Sequence, residues 1–325
     1  PVNGHISAAT NSALALARGR YIALLDQDDL LDPAALACMA AALETHPDAA
    51  ILYSDEDRLS ADGSQRSHPY FKPDFNYALF LSQNMVSHLG VYRRAEVEAV
   101  GGLRVGLEGS QDHDLALRVL ERIDHSQVVH VPSVLYHWRA IPGSTALDVG
   151  EKGYAFRAGA RAIQEHLRRT GQDARVEPCQ DLAIFHTVRR FVPETPGLHV
   201  VISAGGVCPG HAAADTLAVL QRATAGCAVD WWLAPACADA AEAPAQVLPV
   251  AASAEADDGL NRLLLAWLET ATPDPDDPVL IVDLPVARLS AGFVETLLGW
   301  ALWPHAGFVA PRVWTARERM DYGGV

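Results

Sequence analysis

The segment Asp26-Gln27-Asp28-Asp29 follows directly on the apolar run Tyr21-Ile22-Ala23-Leu24-Leu25. Three carboxylates within four residues repel one another unless a cation sits among them. Hard divalent ions such as Mg²⁺ or Mn²⁺ prefer oxygen ligands of this kind, and a nucleotide diphosphate would complete the coordination. Further along, Tyr53-Ser54-Asp55-Glu56-Asp57 is another apolar run ending in carboxylates. Gly109-Ser110-Gln111-Asp112-His113-Asp114 opens a helical pattern, and His137-Trp138-Arg139 closes an apolar stretch. These groups suit a divalent cation and an anionic small ligand.

The elements that must position them can be read from periodicity and punctuation. Asn11 to Arg18 reads as a helix ending at Gly19, followed by a buried strand from Tyr21 to Leu25. Asp32-Pro33 starts a helix with a capping carboxylate and a proline at its first position. Its apolar stripe is Leu36, Met39, Ala40 and Leu43, and His46-Pro47-Asp48 ends it. Ala49 to Tyr53 is a short strand, Leu89 to Tyr92 another, Leu115 to Arg122 a helix, Val128 to Tyr136 a strand, and Tyr154 to Arg169 a helix. Gly101-Gly102 reads as a turn, and His113 as a surface residue. Asp55 and Asp57 read either as a polar strand end or as acceptor-side groups. Helices alternating with buried strands indicate an α/β sheet, whose ligands collect beyond the carboxyl ends of the strands, where both acidic loops lie.

The 325 residues are half apolar, enough for two or three cores, and the net charge is −15. That charge argues against a broad nucleic-acid surface. The five cysteines show no CxxC pairing, which disfavours a structural zinc site and fits a reducing cytoplasm. No apolar stretch approaches the roughly 20 residues of a membrane span. The chain opens at Pro1 without methionine and runs almost at once into helical pattern, so it reads as an excerpt of a longer protein.

Asn3-Gly4-His5-Ile6-Ser7 with Asn11, Leu25-Asp26-Gln27-Asp28-Asp29, Tyr53-Ser54-Asp55-Glu56-Asp57, Gly109 to Leu115 and Tyr136-His137-Trp138-Arg139 together resemble the family 2 glycosyltransferases. These are inverting enzymes of the GT-A, Rossmann-like fold, and the likeness is greatest to tandem-domain members that build bacterial surface polysaccharide and O-antigen. It covers about residues 1 to 180. The resemblance implies transfer of a hexosyl or deoxyhexosyl group from a nucleotide-diphosphate sugar to a glycan or lipid-linked glycan, aided by Mg²⁺ or Mn²⁺. It implies a cytoplasmic protein, with peripheral association at the inner face of the membrane, and no nucleic-acid partner. Asp28 and Asp26 would form the DxD element, with Asp28 the direct metal ligand and Asp26 nearer the ribose or metal. Asp112 would be the general base, although the family's Glu-Asp pair stands here as Gln111-Asp112. His137 would reach the metal or diphosphate, Arg139 would contact phosphate, Gly90 would lie beneath the donor sugar, and Asn3, His5 and Asn11 would line the nucleotide side.

The expected division is a GT-A domain at residues 1–185 lacking its first strands, a linker at 186–196, and a degenerate, carboxy-terminally incomplete second copy at 197–325. Strands are expected at Leu198 to Ser203, Val229 to Leu233, Val247 to Ala251 and Val279 to Val282, with one ring of Trp231-Trp232 buried. Sliding the chain by about 257 residues sets Asp26 on Asp283 and Pro47 on Pro304. In this second copy Asp28 and Asp29 become Pro285 and Val286, which cannot hold a metal. Chemistry is therefore expected in the first half, with a non-catalytic nucleotide-sugar or glycan-binding module as the alternative reading, best suited to the second. A dehalogenase-like phosphatase also places Asp-x-Asp after a strand, but Asp29-Leu30 follows here where that class has Thr or Val.

Overall fold

The computed structural model describes residues 4–141, 153–179, 185–192, 197–203, 210–240, 245–248, 259–274, 276–283, 286, 288–289, 292–303, 309, 313–314 and 320–322. The chain divides into two compact units, Pro1–Arg189 and Arg190–Val325.

The first unit contains α1 (His5–Leu14), β1 (Tyr21–Ala23), β2 (Leu30–Leu31), α2 (Ala35–Thr45), β3 (Ile51–Ser60), β4 (Arg66–Tyr70), α3 (Tyr77–Ser82), β5 (Gly90–Arg93), α4 (Arg94–Ala99), α5 (Gln111–Leu120), β6 (Val128–Ala140), α6 (Gly153–Arg169), β7 (Ala174–Pro178) and β8 (His186–Arg190). Its sheet is mixed, in the order β1-β5-β3-β6-β2, with β4 paired to β3. Only β3 and β6 run parallel, in a ladder from Ile51 opposite Val128 to Ser60 opposite Ala140, with register shifts around Asp55. The sheet packs on α2 through Ala35, Met39, Leu52, Leu89, Val91, Val129, Leu135 and Tyr136.

Several elements differ from the sequence reading for identifiable reasons. Strand β3 continues to Ser60, well beyond Tyr53 where the apolar run stops, because the long β6 beside it supplies a ladder for Asp55, Glu56 and Asp57. Strand β6 likewise carries His137-Trp138-Arg139 inside it rather than after it. The first helix starts at His5 and ends at Leu14, before the expected Gly19 cap. Residues 186–190, expected in a linker, form β8 beside β7.

The second unit has a parallel sheet built from β9 (Gly197–Ser203), β10 (Ala228–Leu233), β11 (Ala245–Val247) and β12 (Val279–Asp283) in the order β11-β10-β9-β12. Helices α7 (Gly210–Ala223), α8 (Gly259–Ala271) and α9 (Phe293–Ala301) accompany it, and a short pair β13 (Val313–Trp314) and β14 (Met320–Tyr322) follows. Both faces are covered. Leu198, Val200, Ile202 and Trp231 pack with Leu217, Leu220, Val294 and Leu298, whereas Val201 and Trp232 pack with Leu263 and Trp267. Both tryptophan rings are thus buried, on opposite faces, since alternate strand residues point to opposite sides. Cys38, Cys179 and Cys227 are free thiols, Cys237 is buried, and Cys208 lies outside the described residues.

Candidate functional site

Strands β1 and β2 lie at opposite edges of the first sheet, so the loop joining them crosses the strand ends. Its backbone touches β5 through Leu24 N–H to Gly90 O at 3.1 Å and β6 through Asp26 N–H to the Tyr136 hydroxyl at 3.3 Å. The acidic tetrad sits on this crossing, and its members have different fates. Asp29 is buried. It accepts from the Tyr136 hydroxyl at 2.5 Å and from Arg139 N–H at 2.7 Å. The Arg139 guanidinium then donates to Asp28 O at 2.6 Å and to Ala61 O at 3.1 Å. These bonds hold the loop against β6 and leave the Asp26 and Asp28 carboxylates partly exposed. Burial raises the pKa of Asp26, His88 opposes the rise, and the charges of Asp112, Asp29 and Asp28 push it further up.

His88 is the group that sequence reasoning missed. Its backbone N–H donates to Glu56, and its Nδ1 lies 3.3 Å from the same Glu56 oxygen. Its ring stacks on Tyr136 at a centroid distance of 4.6 Å and tilts against Trp138 at 5.6 Å. Its Nε2 stands 3.9 Å from Asp26 Oδ2. Burial works against a charged ring here, but the Glu56 hydrogen bond and charge, with Asp112 and Asp26 behind them, outweigh it and raise the pKa. Beneath, the Lys72 ammonium is buried, donates to Ser87 O at 3.0 Å and to His88 O, and stands 3.4 Å from Glu56. Burial raises the Glu56 pKa, yet the bonds and charges of His88 and Lys72 leave it below the usual carboxylate range.

Asp112 occupies the first turn of α5, where the helix end favours a negative charge. Asn84 Nδ2 donates to its Oδ2 at 2.8 Å. The preceding Gln111 turns away and accepts from Gly109 N–H at 2.6 Å. The 83–89 segment reaches both acidic stretches, Asn84 bonding Asp112 and His88 standing 3.9 Å from Asp26, so the crossing loop, this segment and the start of α5 border one site.

Of the other expected site residues, Arg139 and Gly90 touch the crossing loop, through Asp28 O and Leu24 N–H, and the rest of those described have partners of their own. His137 faces Leu30 across the β2/β6 pairing, with Nδ1 on Asp57 at 2.7 Å and Nε2 3.9 Å from Asp32. Arg139 uses its guanidinium on backbone carbonyls, as described above, rather than presenting it to a ligand. Asn11 clamps Leu103, donating to its carbonyl at 2.7 Å and accepting from its N–H at 2.8 Å. His5 is exposed at the start of α1 and acts on Glu108. Gly90 is a strand residue paired with Tyr53, and a Cβ there would meet the Tyr92 ring at 3.0 Å. Asn3 lies outside the described residues. His113, expected at the surface, is buried with Nε2 on Phe80 O at 2.9 Å, and burial pushes its pKa down to about 4. Asp55 is buried and bonded to Lys72 N–H and His130, and Asp57 to Arg66 and His137. Both are structural, because β3 carries them into the sheet.

Among the described residues, no three His, Cys, Asp or Glu side chains converge as a metal-holding group. The pair Asp26 and Asp28 is nevertheless the donor set Mg²⁺ commonly takes, one or two carboxylates with substrate phosphates and water supplying the rest.

Residues 1–101 match the profile of Glycosyl transferase family 2. The chain is 52% identical over 168 residues to the uncharacterized protein y4gI of Sinorhizobium fredii, a match covering 52% of this chain and 18% of that protein. It is 40% identical over 199 residues to the O-antigen biosynthesis protein RfbC of Myxococcus xanthus, covering 61% of this chain and 15% of RfbC. The chain therefore spans less than a fifth of the length of these relatives. Among solved structures, S. aureus TarS 1-349 in complex with UDP-GlcNAc aligns with a TM-score of 0.37 at 17% identity, over 50% of this chain and 47% of that one.

Proposed function

We infer, from the premise that the amino-terminal unit belongs to glycosyl transferase family 2, that this unit moves a sugar from a nucleotide-diphosphate donor to a growing bacterial surface glycan with inversion. The observation that carries the reading is the 83–89 segment, which bonds Asp112 through Asn84 and sets His88 3.9 Å from Asp26, bringing three stretches distant in sequence to one border. Asp26 and Asp28 would hold Mg²⁺ or Mn²⁺ with the diphosphate. Such an ion, when bound, offsets charge on the leaving nucleotide, a contribution of several kcal/mol. Asp112, oriented through Asn84, accepts the proton of the acceptor hydroxyl from the side opposite the leaving group. His88 and the Glu56–Lys72 pair beneath it keep the floor of the site rigid and limit repulsion among the carboxylates. The mixed sheet is consistent with a GT-A domain, and the parallel order of the second unit with a degenerate, non-catalytic copy. Asp283, the carboxylate that corresponds to Asp26, ends β12 opposite Ser203. No helix among the described residues is long and apolar enough to cross a membrane, and a cytoplasmic site of action with a lipid-linked or glycan acceptor fits the reading.

The test is metal-dependent sugar transfer by the full-length protein. Asp28→Ala and Asp112→Asn should each lose nearly all turnover, the first with weakened metal dependence and the second with donor binding intact. Normal turnover in either variant would refute the assignment.

A further inference from the structure

His88 has one nitrogen engaged and one free. Glu56 lies on the Nδ1 side of the ring at 3.3 Å and takes the backbone N–H as well, so the imidazole is held from behind. Tyr136 and Trp138 fix its plane. The Nε2 atom is left facing Asp26 at 3.9 Å, too far for a hydrogen bond. No hydrogen-bond partner for it occurs among the described residues, yet the ring around it is four-fifths covered, its side chain being 22% exposed. A polar atom held rigidly in this way, short of a partner and facing a carboxylate of the proposed donor site, is a recognition group.

The place of His88 in the chain identifies what it meets, for its segment stands beside Asp26 through His88 itself and bonds Asp112 through Asn84. If the donor diphosphate is held at Asp26 and Asp28 and the acceptor oxygen at Asp112, the sugar being transferred lies between them, because inversion requires entering and leaving oxygens on opposite sides of one carbon. A group bordering that interval meets the sugar ring. A sugar hydroxyl is also the ligand group suited to Nε2 in either of its forms, since a hydroxyl accepts from an N–H and donates to a bare ring nitrogen. We propose that His88 is the donor-sugar contact of this site, its Nε2 hydrogen-bonded to one hydroxyl of the transferred sugar, with Glu56 as the positioning residue that aims it.

The inference rests on the transferase reading above, and its test separates the two. Full-length protein is assayed against a panel of UDP-, dTDP- and GDP-linked sugars, then against monodeoxy analogues of the accepted donor. His88→Phe should lower kcat/KM for the intact donor by about 10- to 100-fold, the scale of one lost buried hydrogen bond. One monodeoxy donor should suffer the same loss with the unaltered protein and under about threefold more with His88→Phe, while the other analogues remain as sensitive as the parent. His88→Gln, which keeps a polar group within reach, should recover part of the loss, and Glu56→Gln should weaken discrimination at the same hydroxyl. An equal loss on every analogue, or none, in a variant with unchanged thermal unfolding overturns the proposal. Should His88→Phe fail to fold, the His88→Gln and Glu56→Gln series decides by the same comparison. Full activity in Asp112→Asn, or no transfer from any donor in the panel, removes the reading beneath it and the proposal with it.

Discussion

Two neighbouring aspartates of the crossing loop should behave in opposite ways when removed. Asp29 is 7% exposed and accepts from the Tyr136 hydroxyl and from Arg139 N–H. A hydrogen bond to a charged group contributes about 1.5 to 3 kcal/mol, so the two together set an upper range of about 3 to 6 kcal/mol. Burial raises the Asp29 pKa, which means that the ionised group bears a desolvation cost, relieved on truncation. The net loss for Asp29→Ala is therefore about 2 to 4 kcal/mol, with the buried Tyr136 hydroxyl left short of a partner. Asp28 contributes its backbone carbonyl to Arg139, a bond that survives truncation, so Asp28→Ala should stay within about 0.5 kcal/mol of the parent while abolishing transfer. Tyr136→Phe removes one of the two bonds and should lose about 1 to 2 kcal/mol; combined with Asp29→Ala it should be less than additive by at least about 1 kcal/mol. Urea unfolding followed by far-ultraviolet circular dichroism, with amide exchange across residues 24–31, reads all four proteins. Equal stabilities for Asp29→Ala and Asp28→Ala, or strict additivity of the double variant, would refute the claim that Asp29 anchors the loop.

Further outcomes follow from the rest of the first unit. His113 stays neutral in the fold while the unfolded chain protonates it below its usual pKa of about 6.5. The unfolded state then binds the extra proton, so stability falls as pH drops from about 6.5 towards about 4, by up to about 1.4 kcal/mol per pH unit from this group. His113→Gln should flatten that slope, and an unchanged slope would show that the ring titrates normally. Asn11→Ala strips both polar groups of Leu103 of their partner and should destabilise by about 1 to 3 kcal/mol with the donor KM unmoved. A raised KM at unchanged stability would instead put Asn11 at the nucleotide. At Gly109, φ is +85° and a Cβ would come within 2.6 Å of the Ala155 side chain, so Gly109→Ala should lose 2 kcal/mol or more, on the order of a strained backbone plus an overpacked contact. Turnover should fall with it, because the same turn presents Asp112. Parent-like melting and activity would show that α6 yields there freely.

How much of the site was legible depends on whether a residue's role is local. Asp112 is singled out through the family resemblance, in which Gln111-Asp112 stands for a Glu-Asp pair, and its place in the first turn of α5 agrees with the local pattern of a glycine before and apolar residues after. His88 carried no such signal. Its neighbours Met85, Val86 and Leu89 are fully buried, and only the crossing loop places Asp26 beside it. The placement of His137 differs from the sequence reading for the complementary reason. Directly after an apolar run it reads as a strand end, whereas the ladder with β3 continues and turns its ring to Asp57.

The sequence by itself determined the class of fold, the alternation of helices with buried strands, the presence of a carboxylate set suited to a divalent cation, and the recurrence of a strand-first pattern after residue 197. Those properties reside in short-range periodicity and in the charge of consecutive residues, which can be read without knowing what packs against them. Tertiary structure alone decided which carboxylates remain available. Asp29, Asp55 and Asp57 are chemically equivalent to Asp26 and Asp28 on paper, but the first three lie where β6, Lys72, Arg66 and ring partners satisfy them. A buried charge must be paired or neutralised, and the strand order across the sheet sets which charges meet partners and which are left for a ligand.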